Sequence, residues 1–78
     1  MTDDQALVQA INNLCDEIAG AAAGDRAQLF TEFFTLERTE EVAAQWAENE
    51  FRFEVVLNRL ATVRGLGTRV RALTQSIR

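Results

Sequence analysis

Apolar residues recur along the chain at intervals of three and four, the spacing of one face of an α-helix. Leu7, Ile11, Leu14 and Ile18 keep a 4-3-4 rhythm, with Val8, Cys15 and Ala22 beside them. Gln9, Asn12, Asn13, Asp16 and Glu17 fill the rest of the circumference, so the pattern predicts an amphipathic helix over about 3–23. Thr2 and Gln5 have the spacing of a capping box, and Asp3 and Asp4 fall where the helix dipole favours negative charge. Gly24 is the expected stop.

Asp25, with Gln28 three residues on, marks a second start, and the expected helix covers 26–38. Leu29, Phe30, Phe33, Phe34 and Leu36 spread over nearly half of its surface, which places this segment at the centre of a core or an interface. Thr39 before Glu40 and Glu41 is a third start signal. No breaker follows until Gly65, so one long helix is expected over 40–64. One face of it carries Val42, Trp46, Phe53, Val56, Leu57, Leu60 and Val63; a second, roughly opposite strip carries Ala44, Ala47, Phe51 and Val55. A helix apolar on two sides must pack on two sides. Gly65-Leu66-Gly67 interrupts the pattern. Leu66, Val70, Leu73 and Ile77 then resume it, displaced around the axis, which predicts a separate short helix over 67–77 in preference to a bent continuation.

The expected fold is all-α: a small helical bundle or hairpin of three to four helices in a single domain over 1–78. A homodimer is expected as well, because a 78-residue chain has few elements with which to cover both sides of the third helix.

Composition removes several kinds of chemistry. The chain has no His, Lys, Tyr or Pro, one Cys and one Ser, Ser76. Without His there is no catalytic triad of the common type and no imidazole metal site. One Cys makes neither an internal disulfide nor a Cys-rich zinc site. The carboxylates Glu37, Glu40, Glu41, Glu48, Glu50 and Glu54 lack the His partners of helical di-iron sites. Cys15, beside Asp16 and Glu17, reads as a small core residue and not as a reactive thiol. Gly65-x-Gly67 has neither the strand nor the third glycine of a phosphate loop. The expectation is therefore no catalytic residue, no cofactor and no metal. The acidic start is unlike a signal peptide, and no apolar run approaches the roughly 18 residues of a membrane span. A cytoplasmic location away from membranes is expected.

Charge is divided unevenly. Residues 1–50 hold eleven acids against two arginines, a net −9, and residues 51–78 hold six arginines against Glu54, a net +5. Arg64, Arg71 and Arg78 recur every seven residues, along one side of the expected last helix. Such a stripe can pair with the chain's own acids or those of a second copy, contact a protein partner, meet nucleic-acid phosphates, or lie on an anionic membrane surface, for which the last helix lacks a Trp, Phe or Lys anchor. An overall charge of −4 and the lack of aromatic residues beyond Phe53 count against nucleic acid. The acidic half also permits the reverse: an acidic inhibitor occupying the basic nucleic-acid-binding groove of a host defence protein, as small phage-encoded inhibitors do. The function expected first is a non-catalytic protein-interaction module: an adaptor, regulator or inhibitor of a larger protein. Its candidate contact residues are Trp46, Asn49, Phe51 and Phe53, with Arg64, Arg71 and Arg78 for charge complementarity. Trp46 and Phe53 are the aromatic anchors. Asn49 falls between them on the same face, where it either sets register in a buried seam or meets water where the face splays open.

Overall fold

The computed structural model describes residues 3–77, with side-chain surroundings from Ala6 onward. It contains five helices: α1 (Asp3–Ala19), α2 (Ala23–Phe33), α3 (Leu36–Gln45), α4 (Glu50–Ala61) and α5 (Gly67–Ile77). No strand occurs among the described residues, so the fold is all-α. α4 is the central element, packed on α5 and on α1; α2 leans on α1, and α3 on α5. The radius of gyration is 11.7 Å, against about 11.5 Å for a single domain of this length. No helix therefore projects from the bundle.

The α1 stripe behaves as its spacing requires. Leu7, Ile11, Leu14 and Ile18 are all buried, with Cys15 beside them. The helix ends at Ala19, four residues before the expected limit. After Ile18 the chain has only Gly and Ala until Asp25, so no further apolar side chain rewards another turn. Gly24 consequently lies in the first turn of α2 and not at the end of α1. Ala22 occupies the N-cap of α2 without a side-chain bond, and Asp25 is a first-turn acid. The Thr2–Gln5 capping box and Arg78 fall outside the residues whose side chains are described.

The long third helix is corrected by the structure. Residues 40–64 divide between α3 and α4, with Trp46 to Asn49 outside both. A straight helix of that length would extend for about 37 Å, beyond the longest dimension of the protein, 34 Å. Breaking it brings both apolar segments into one bundle. Val42, Trp46, Phe53, Val56, Leu57 and Leu60 all enter the same core, and Leu66 and Val70 close it from α5. Among the described residues the helix count is thus five and not three to four. α5 is a separate helix with the expected start and end. The reversal before it runs through Gly65 at φ +94°, a left-handed conformation that glycine adopts without a Cβ penalty.

α2 also departs from expectation. Of its apolar residues only Phe30 is buried; Leu29, Phe33 and Phe34 are half-buried. The Phe cluster is a flank of the core and not its centre. Its rings pack on each other, Phe30 and Phe33 each with a centroid 4.9 Å from that of Phe34. The Arg38 guanidinium stands 4.4 Å over the Phe33 ring. Leu36 belongs to α3, because the cap there is Thr35, whose hydroxyl accepts from the Arg38 backbone N–H at 3.2 Å. Thr39 is an interior residue of α3, its N–H bonded to the Thr35 carbonyl at 2.9 Å.

The two threonines give a direct check. Thr35→Ala removes the cap and lowers stability by about 1 kcal/mol. Thr39→Ala, at an interior helix position, changes it by less than about 0.5 kcal/mol. Urea unfolding of both variants measures the difference, and the reverse order would move the start of α3 to Thr39.

Candidate protein-contact surface

The two apolar sides of the α3–α4 segment meet different fates. The first supplies the core, as above. The second stays on the surface: Phe51 is 77% exposed and Val55 53% on α4, and Ala44 on α3 and Ala47 in the turn between the helices are exposed too. Phe51 and Val55 are four residues apart, so they stand one above the other on the outer face of α4. Next to them runs a shallow groove of about 200 Å³ between α4 and α1. Val8 and Asn12 line it from α1, and Phe51, Arg52, Val55, Val56 and Arg59 from α4.

The local reason for this placement is helical phase. Phe53, Val56, Leu57 and Leu60 point into the core. Phe51 and Val55 sit near 180° from the middle of that set, and Arg52 and Arg59 lie to one side, toward α1. Arg59 fastens the groove's far end. Its guanidinium donates to the Asn12 side-chain oxygen at 2.9 Å and to the Asp16 carboxylate at 2.5 Å. Both members of the ion pair are half-exposed or more, so it contributes about 0–1 kcal/mol and serves mainly to set the angle between the helices. Arg52 lines the groove without an ion pair among the described residues.

Of the candidate contact residues Trp46, Asn49, Phe51 and Phe53, Phe51 alone is a large exposed apolar group. Trp46 and Phe53 are buried at 8% and 0% exposure. Their rings stack on each other with centroids 5.7 Å apart and planes 9° apart. In this fold they support the core, and neither is reachable by a docking partner. Asn49 lies neither in a seam nor on an open helix face. It is the half-buried N-cap residue of α4, with φ −138° and ψ 36°, and its carbonyl accepts from Phe53 N–H at 3.0 Å.

The arginine stripe is not laid along one helix. Arg64 sits in the turn before α5, where its carbonyl accepts from Arg26 at 3.3 Å. Arg71 is exposed on α5, and Arg78 lies outside the described residues. Neither Arg64 nor Arg71 has an ion pair among the described residues. Val8, Asn12, Arg52 and Arg59 were missed from sequence as groove residues. Val8 flanks the α1 stripe, but which helix lies beside it is not encoded locally.

Among the described residues, no three Cys, Asp or Glu side chains gather as a metal site. No described helix is long and apolar enough to cross a membrane. Comparison with known proteins found no match to any family model, curated protein or solved structure. The groove and the outer face of α4 therefore carry the functional reading by themselves.

Behind the groove lies Cys15, buried, with its Sγ 4.0 Å from the Val56 carbonyl oxygen. Burial pushes its pKa above the ordinary 9.0, and Asp16 adds to the rise while Arg59 opposes it. A raised folded-state value makes the neutral thiol the native form. Its contribution to stability is complete below pH 9.0 and is lost as pH rises through the higher folded value. Native protein should thus react slowly with iodoacetamide at neutral pH, and denatured protein quickly. Equally fast labelling of both would place the thiol at the surface.

Proposed function

We propose that the chain is a non-catalytic protein-interaction module, an adaptor, regulator or inhibitor of a larger protein, acting in the cytoplasm. Its contact surface is the outer face of α4 together with the α1–α4 groove. The observation that carries this reading is the exposure of Phe51 and Val55 side by side above an apolar groove with an arginine rim. Contiguous exposed apolar groups rimmed by polar ones point to a docking surface where single ones do not, and Phe51 and Val55 are contiguous with the groove lined by Val8 and Val56. An aromatic anchor supplies the apolar burial, and Arg52 presents a planar guanidinium that holds a carboxylate in a defined orientation, while Arg59 is engaged by Asn12 and Asp16.

Arg64 and Arg71 add charge complementarity elsewhere on the surface, without an apolar residue between them comparable to Phe51. A nucleic-acid reading has no such focal observation.

Capture from a lysate of the source organism, with and without nuclease, tests the proposal. Wild-type protein should retain a protein partner regardless of nuclease. Phe51→Glu should retain about ten-fold less or lower, with circular dichroism unchanged. Leu36→Glu, at an apolar residue equally exposed but away from the groove, should retain the wild-type amount. Equal capture by the Phe51 variant, or loss of the bound material to nuclease, overturns the reading.

A further inference from the structure

We infer that the turn between α3 and α4 is a hinge, which straightens in a second form of the protein: a dimer in which two copies exchange their α4–α5 halves. The inference is independent of the contact surface proposed above.

The first argument is the turn itself. Leu36 to Ala61 contains neither Gly nor Pro, and Trp46, the C-cap of α3, still has helical dihedrals, φ −58° and ψ −49°. Ala47 and Glu48 are good helix formers, and the Asn49 side chain gives α4 no cap hydrogen bond. The backbone N–H groups of Ala47, Glu48, Glu50, Phe51 and Arg52 have no backbone partner among the described residues, and all five residues are exposed. Straightening the segment offers each of those N–H groups the carbonyl four residues back. Local sequence and backbone bonding thus favour one helix over 36–61, and the packing of the core opposes it.

The second argument is what one copy cannot do and two can. The joined helix would be about 39 Å long, and the longest dimension of the protein is 34 Å. A single bundle therefore has to break it. The α1–α3 half and the α4–α5 half meet across the hinge at surfaces that already fit: α1 packs on α4, α3 packs on α5, and Arg59 bonds to Asn12 and Asp16. When the segment straightens, the halves of one chain separate. The α4–α5 half of another copy then takes the vacated place, and these contacts return between chains. The occupant is a second copy because this chain itself carries the surface that each opened half has lost.

The apolar positions suit that exchange. Trp46 and Phe53 lie equally far on either side of the midpoint between Asn49 and Glu50, as do Val42 and Leu57, and all four are core residues. In two straight helices crossing antiparallel about a two-fold axis at that midpoint, Trp46 of each copy stands opposite Phe53 of the other. The stack seen within one chain is then remade twice between two. Pairing costs the freedom of one molecule per dimer and adds backbone bonds at both hinges, so the balance shifts with protein concentration.

Sedimentation equilibrium from about 5 µM to about 500 µM, on protein unfolded and refolded at each concentration, tests the inference by mass action. Wild-type protein should move toward the dimer mass at the upper end. Asn49→Ala, which puts a better helix former in both hinges, should tighten the dimer about ten-fold, and Ala47→Gly should weaken it about ten-fold or more. Hydrogen exchange should find the Ala47 and Glu48 amides protected in the dimer and unprotected in the monomer. Phe51→Glu, on the outer face of α4, should lose target capture and leave dimerisation unchanged. Circular dichroism confirms that each variant folds. An Asn49→Ala dimer with protected amides supports the hinge at whatever concentration the wild type pairs. The hinge is overturned by a dimer whose Ala47 and Glu48 amides stay unprotected, by one that Phe51→Glu abolishes, or by one indifferent to both hinge substitutions. Wild-type and Asn49→Ala proteins that both remain monomeric throughout overturn it as well.

Discussion

Trp46 and Phe53 are seven residues apart, and a straight helix would set their positions about 10 Å apart along its axis. In the protein their ring centroids are 5.7 Å apart and the rings are nearly parallel. That stack exists because the chain leaves helical geometry between α3 and α4. The first turn of the break is tightened, with Trp46 and Asn49 donating to carbonyls three residues back. Asn49, a poor helix-interior residue, stands at the N-cap where the second helix begins, its side chain making no cap hydrogen bond. The stack and the turn go together, since the rings reach 5.7 Å only where the segment leaves helical geometry.

The rest of the bundle follows from that change of direction. With α3 turned away from the α4 axis, α5 has two neighbours, and Leu66 and Val70 plug the space beside α4. α1 takes the remaining side of α4, held in register by its apolar stripe and by Arg59 bridging to Asn12 and Asp16. α4 is then covered by α1 on one flank and α5 on the other, and no helix remains for its outer face. Phe51 and Val55 are exposed for that reason. Two features follow from one constraint: a small chain that uses its helices to bury one side of α4 leaves the other side available.

This division also accounts for the charges. The arginines after residue 50 do not form one continuous stripe, because Arg64 belongs to a turn and Arg71 to a helix. Arg59 is held by α1, while Arg52, Arg64 and Arg71 face outward. The surface is therefore a mosaic of both signs around an apolar strip, which orients a partner more than it strengthens binding.

Local pattern was enough to determine the helical class, the buried stripe of α1, the separate α5, and the existence of a second apolar side on the segment from Ala44 to Val55. These depend on periodicity, which neighbours three and four residues apart already express. Periodicity could not say where the long segment would break, because Trp46, Asn49 and Phe53 keep a continuous helical phase; the break is dictated by the size of the bundle that must enclose them. For the same reason Thr39 looked like a start and Thr35 was the cap. Nor could local pattern tell which of two aromatic-bearing sides would be core. Only the packing of α1 and α5 against α4 decided that Phe53 goes in and Phe51 stays out, since burial is a property of what lies opposite a side chain and not of the side chain itself.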